Sequence, residues 1–126
     1  MARILVIDDD RPLRGALRVV LEAAGYDVIE AADGEAGLRL HREQGADLVL
    51  VDIFMPKRDG LEVIRDLRAV IPRPKIIAIS GGGESGHTDL LMTAAAFGAS
   101  STLHKPFEPH QLLAAIRELL GEDEPA

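Results

Sequence analysis

Three consecutive aspartates, Asp8, Asp9 and Asp10, follow the apolar run Ile4–Ile7, and a fourth, Asp52, follows the run Leu48–Val51. Ser80 stands at the end of a third run, Lys75–Ile79, and Lys105 comes just after a shorter one, Ser101–Leu103. Carboxylates crowded into one space repel one another unless a cation sits among them, and Mg²⁺ suits a mixture of carboxylate and phosphate oxygens. A lysine and a hydroxyl at the same rim can contact the other oxygens of an anion. Together these residue types suit phosphoryl transfer, where positioning and electrostatics carry most of the catalysis. The chemistry depends on one condition: these four segments must be strands whose ends lie side by side.

The elements around those residues meet the condition. Ile4–Ile7 is short, apolar and β-branched, which reads as a buried strand. From Pro12 to Ala24 the apolar residues Leu13, Ala16, Leu17, Val20 and Leu21 recur at helical spacing, with proline at the start and Gly25 as the stop. Tyr26–Glu30 reads as a second strand, and Asp33 as the cap of a helix running to Gln44. Leu48–Val51 is the third strand. Asp59-Gly60 precedes a helix carrying Leu61, Ile64 and Leu67. Lys75–Ile79 is the fourth strand, followed by the glycine loop Gly81-Gly82-Gly83 and a helix from Leu90 to Phe97. Ser101–Leu103 is a weak fifth strand, and Pro109 opens a last helix with Leu112, Leu113, Ile116, Leu119 and Leu120 on one stripe. This alternation predicts a mostly parallel sheet with helices on both faces, and in such sheets ligands sit at the carboxyl ends of the strands.

Composition narrows the function classes. The chain has 126 residues, one domain by length, with 47% hydrophobic and only 3% aromatic residues, so its core must be aliphatic. The absence of cysteine excludes disulfides, thiolate metal sites and cysteine nucleophiles. A formal charge of −7 argues against a general nucleic-acid binder. No stretch approaches the roughly 18 apolar residues of a membrane span, and the run after Met1 is too short for a signal peptide, so a cytoplasmic location is expected. His41, His87, His104 and His110 lack metal-site spacing and read as surface or loop residues. Asp10 reads as a helix cap and not a ligand. Gly81-Gly82-Gly83 carries no Walker lysine.

Over essentially its whole length the chain resembles the response-regulator receiver domain. The match rests on Ile4-Leu5-Val6-Ile7-Asp8-Asp9-Asp10, on Asp52-Ile53-Phe54-Met55-Pro56-Lys57-Arg58-Asp59-Gly60, on Ile79-Ser80, and on Gly98-Ala99 leading to Lys105-Pro106-Phe107. The resemblance implies a flavodoxin-like, doubly wound, five-stranded parallel sheet of order 2-1-3-4-5; the domain is expected over residues 1–121, with a polar tail over 122–126 expected to fray. It makes Asp52 the phosphoacceptor. By the same resemblance Asp9 would bind Mg²⁺ directly with Asp52, Asp8 would assist largely through water, and the Phe54 backbone carbonyl would complete the protein ligands. In that reading Ser80 would sense the phosphoryl group and Lys105 would pair with it. The implied donor is a sensor histidine kinase or a histidine phosphotransfer protein, and the implied output is a downstream protein target or onward relay. Such a domain is a signalling module and not an enzyme, and neither nucleic acid nor membrane insertion is expected of it. Position 102 departs from the family: Thr102 stands where an aromatic residue is common, so output is expected to run through the glycine loop instead.

Two rivals use the same residues. A phosphohydrolase resembling the haloacid dehalogenases would take Asp8 as nucleophile and Asp10 as its partner two residues on. That reading leaves Asp52 and the Met55-Pro56 turn without a role. A receiver-like adaptor that is never phosphorylated would usually have lost an acid or the lysine, and none is lost here.

Overall fold

In a computed structural model, the structure describes residues 2–53, 60–80, 94–95 and 98–122. Five strands form one parallel sheet: β1 (Arg3–Ile7), β2 (Asp27–Ala31), β3 (Leu48–Asp52), β4 (Lys75–Ser80) and β5 (Ser101–His104). Their order is β2-β1-β3-β4-β5, as the resemblance implied. Helices α1 (Arg11–Ala23), α2 (Gly34–Gln44) and α3 (Gly60–Arg68) and a last helix, Pro109–Leu120, cover the sheet. Phe54, the Met55-Pro56 turn and the glycine loop lie outside the described residues, as does most of the expected Leu90–Phe97 helix, of which Ala94 and Ala95 are helical.

Strand alternation sorts the core into two halves. Leu5, Ile7, Val49, Val51, Ile76 and Ala78 face α2 and α3, packing with Leu38, Val63, Ile64 and Leu67. Ile4, Val6, Leu48, Leu50, Ile77 and Ile79 face α1 and the last helix, packing with Leu17, Leu21, Leu112 and Ile116. Both faces being covered, the central strands read as unbroken apolar runs and not as alternating ones. All five residues of β3 are buried.

Helix ends follow their local chemistry. The Asp10 carboxylate accepts the Leu13 N–H at 3.2 Å and caps α1, with Pro12 in the first turn. The Asp33 carboxylate accepts the Ala36 N–H at 2.9 Å and caps α2. Gly45 ends α2 at φ 74°, a conformation glycine adopts without steric cost.

Three expectations need correction. Tyr26 precedes β2 instead of belonging to it; its ring is buried and its hydroxyl donates to Glu122 at 2.6 Å. Burial, reinforced by the Glu122 carboxylate, pushes that hydroxyl up to about 12, so it remains a donor. Glu122, which the sequence assigned to the polar tail, is anchored by this bond and by its own N–H to the Arg117 carbonyl at 2.8 Å.

The third concerns His41, which is not a surface residue. It lies on α2 with only 6% of its surface exposed, and its Nδ1 accepts the Ala46 N–H at 3.0 Å. A histidine offers an acceptor only when neutral, and burial lowers its pKa from 6.5. Below 6.5 the unfolded chain therefore binds a proton that the folded chain refuses. Stability is full above that value and falls as pH drops through the window between it and the folded pKa. The urea midpoint is expected to fall between about pH 7.5 and pH 5.5. His41→Asn keeps an acceptor for Ala46 but cannot titrate, and should flatten this slope. An unchanged slope in H41N would assign the effect to other groups. Glu30, whose pKa is lowered mainly by its bond to Arg18, contributes in a separate window that opens only below 4.5.

Candidate functional site

The sheet order reverses between β1 and β3, and ligands of such sheets sit at that point, beyond the carboxyl ends of the strands. In the β1–β3 register Ile7 pairs with Val51, which sets Asp8 beside Asp52. The backbone ladder runs one residue past three of the strands. The Asp8 N–H donates to Ala31 O at 3.1 Å, the Ile53 N–H to Ile79 O at 2.9 Å, and the Lys105 N–H to Ser80 O at 2.8 Å. The residues at the strand ends therefore stand on fixed backbone.

Close packing holds this end together. Gly60 opens α3 and donates its N–H to Ile53 O at 3.1 Å. A Cβ there would collide with the Asp52 carbonyl and with the Ile53 Cα, so only glycine lets α3 return this tightly against the end of β3. The sequence marked Gly60 only as preceding this helix and as the end of the motif that begins at Asp52.

Asp8 and Asp52 are buried, Asp9 is exposed, and a carboxylate oxygen from each lies within 4.8 Å of the others. Asp8 is engaged on both oxygens: Oδ1 accepts the Asp10 N–H at 2.9 Å and Oδ2 accepts Lys105 Nζ at 3.3 Å. The same ammonium stands 3.8 Å from Asp52 Oδ2. Lys105 thus bridges the two buried acids from the end of β5, and its bond to Pro106 is cis. Ser80 is fully buried, and its Oγ has no hydrogen-bond partner among the described residues. A buried hydroxyl left unpaired costs free energy, so its position suits a ligand that accepts from it.

Four strand-end positions inferred from the sequence, Asp8, Asp9, Asp52 and Lys105, therefore converge, with Ser80 on the strand between β3 and β5. Phe54 lies outside the described residues. The donor set fits a divalent cation: three carboxylates from two strand ends, hard oxygens only. Arg14, which residue type alone did not mark, also reaches the site. Its Nη1 donates to the Asp8 carbonyl at 2.7 Å.

Comparison with known proteins agrees with this geometry. The model of the response regulator receiver domain matches residues 4–117. The chain belongs to the receiver family. Protein CcdB of Bacillus subtilis strain 168 is 34% identical over 122 residues, covering 96% of this chain and 99% of that protein. The transcriptional regulatory protein CpxR of Escherichia coli strain K12 is 38% identical over 120 residues, 95% of this chain. The receiver spans about half the length of CpxR, 50% of it. Among solved structures, the receiver domain protein of Methanospirillum hungatei JF-1 superposes with a TM-score of 0.87 at 30% identity, covering 96% of this chain and 94% of that one. That of Clostridium thermocellum gives 0.88 at 31%, covering 96% and 95%. The acidic cluster with its lysine is the phosphoaccepting site of such a domain. No described helix is long and apolar enough to cross a membrane.

Proposed function

We propose that this receiver takes a phosphoryl group onto Asp52 from a phosphohistidine donor in a Mg²⁺-dependent reaction, and that the change at Asp52 switches a protein partner or passes the group on. The observation that carries the reading is Lys105, held at 3.3 Å from Asp8 and 3.8 Å from Asp52 at the switch point of the sheet. The donor is a sensor histidine kinase or a histidine phosphotransfer protein, and the domain works in the cytoplasm as a signalling module, not as an enzyme acting on a separate substrate.

Each residue has a task. An Asp52 carboxylate oxygen attacks phosphorus, the P–N bond breaks, and its electron pair returns to the donor imidazole. The Lys105 ammonium pairs with an oxygen of the group in transit, and the buried Ser80 hydroxyl donates to another. Asp9 and Asp52 would hold Mg²⁺ with the Phe54 carbonyl, and Asp8 would assist through water. When bound, the ion neutralises charge on the transferring oxygens. A groove of about 580 Å³ between α1 and the last helix, lined by Leu13, Leu17, Val20, Phe107 and Leu112, opens beside Asp10 and Lys105. It suits an apolar helix face of the donor, which must bring its imidazole to this end of the sheet.

The test is incubation with acetyl phosphate, which removes the need for a named kinase. With Mg²⁺ the intact mass should rise by one phosphoryl group, and hydroxylamine should remove it, as expected of an acyl phosphate. With EDTA the gain should disappear. A stable gain that survives hydroxylamine, or one that ignores EDTA, would contradict the reading.

A further inference from the structure

Asp9 depends on its backbone for direction. Its carboxylate is exposed and has no hydrogen-bond partner among the described residues. What sets its position is the peptide unit joining it to Asp8, and the carbonyl of that unit is the one Arg14 holds. Arg14 Nη1 donates to Asp8 O at 2.7 Å while its Nε donates to Glu30 at 3.1 Å, and the arginine side chain is only 13% exposed. Glu30 lies on β2 opposite Val6, two residues before Asp8. Its other oxygen accepts Arg18 Nε at 2.6 Å. The bonds from Arg18 and then Arg14 keep the Glu30 carboxylate below the usual range, so it remains charged.

The result is a rigid relay from carboxylate to guanidinium to carbonyl. A planar guanidinium that bridges two acceptors fixes both distance and plane, which an ammonium cannot do. Fixing the plane of the Asp8–Asp9 peptide fixes where the Asp9 Cα stands and narrows the directions its side chain can take, while the Asp8 carboxylate is held besides by the Asp10 N–H and Lys105. Groups that orient metal ligands in this way typically matter 10–100-fold in metal affinity.

We infer that Arg14, braced by Glu30, is a positioning residue that aims Asp8 and Asp9 at the metal; this rests on the reading of the acidic cluster as a Mg²⁺ site. The inference has a sign that separates it from the obvious alternative. As a bare positive charge beside three acids, Arg14 would oppose a cation, and its removal would tighten Mg²⁺ binding. As a positioning residue, its removal loosens the ligands and weakens binding.

The experiment is calorimetric titration of the full chain with MgCl₂, at a temperature where circular dichroism shows every variant folded. Arg14→Ala should bind Mg²⁺ about tenfold more weakly than the unsubstituted chain. Arg14→Lys keeps the charge but cannot bridge both acceptors, and should recover only part of the loss. Glu30→Gln keeps an acceptor of the same shape, loosens the brace, and should weaken binding by a smaller factor. If Arg14→Ala fails to fold, Glu30→Gln and Arg14→Lys decide the matter. Affinity equal to or tighter than that of the unsubstituted chain, in Arg14→Ala or in both substitutes, overturns the inference. Absence of Mg²⁺ binding in the unsubstituted chain overturns the metal reading itself, and this role with it.

Discussion

Asp52→Asn should abolish phosphorylation while leaving the fold as stable as before, or more so. Asparagine has the shape of aspartate but no carboxylate to attack phosphorus. Removing a nucleophile can cost on the order of 10⁶ in rate, which puts residual labelling below detection. Stability should move the other way, because Asp52 is buried within a few ångströms of Asp8. Removing one of the three clustered charges relieves repulsion that the single Lys105 ammonium offsets only in part. In EDTA the melting temperature should hold or rise by a few degrees. In Mg²⁺ the difference should shrink, because the variant binds the ion less well. Intact-mass analysis after acetyl phosphate treatment and a pair of thermal melts read both effects. The same experiment separates the receiver from a phosphohydrolase using Asp8. Both Asp8 oxygens are already engaged, by the Asp10 N–H and by Lys105, which makes it a poor nucleophile. Label that persists in D52N and vanishes in Asp8→Asn would reverse the assignment.

The sheet and its site were legible in the sequence for one physical reason. A parallel sheet covered on both faces needs runs such as Leu48-Val49-Leu50-Val51, and an acid directly after such a run can only lie at a strand end. Asp8 and Asp52 were found that way, Ser80 by its place at the end of Lys75–Ile79, and Lys105 by its place after the weak strand Ser101–Leu103 together with the family resemblance; Asp10 and Asp33 were read as caps because each stands directly before a helical pattern. The residues that were missed act through partners distant in sequence. Arg14 and Glu30 are 16 positions apart and look like a solvated helix face and a strand end; only packing of α1 on β2 joins them. His41 carried no sign of burial, since its role depends on a bond to Ala46 across the glycine that ends α2. Tyr26 read as the first residue of a strand, yet its hydroxyl meets Glu122, 96 residues away. Spacing reveals residues that share an element, whereas contacts between elements need the fold.

Lys105→Met should slow phosphorylation by about 100-fold, as loss of one preorganised electrostatic contact to a transition state typically does. Methionine keeps a stem of similar length and apolar character, so the change removes the ammonium and little of the packing. Lys105 is three-quarters buried, with a side-chain exposure of 24%, and its two contacts to Asp8 and Asp52 exist before any phosphoryl group arrives. It is therefore preorganised: transfer needs only a shift of the ammonium from carboxylates to phosphoryl oxygens, not the ordering of a free side chain. A second, independent result follows from the same geometry. Without the lysine, Asp8 and Asp52 face each other with less compensation, so the variant should melt lower in EDTA. Mg²⁺ should then restore more stability to it than to the unsubstituted chain, because the ion no longer competes with a resident cation. The two readouts bear on different links. A normal labelling rate in Lys105→Met, within about twofold, would remove Lys105 from transfer. An Mg²⁺-induced shift no larger than that of the unsubstituted chain would mean that lysine and metal do not share the two acids. Slow labelling together with an enlarged shift is what a lysine poised between Asp8 and Asp52 requires.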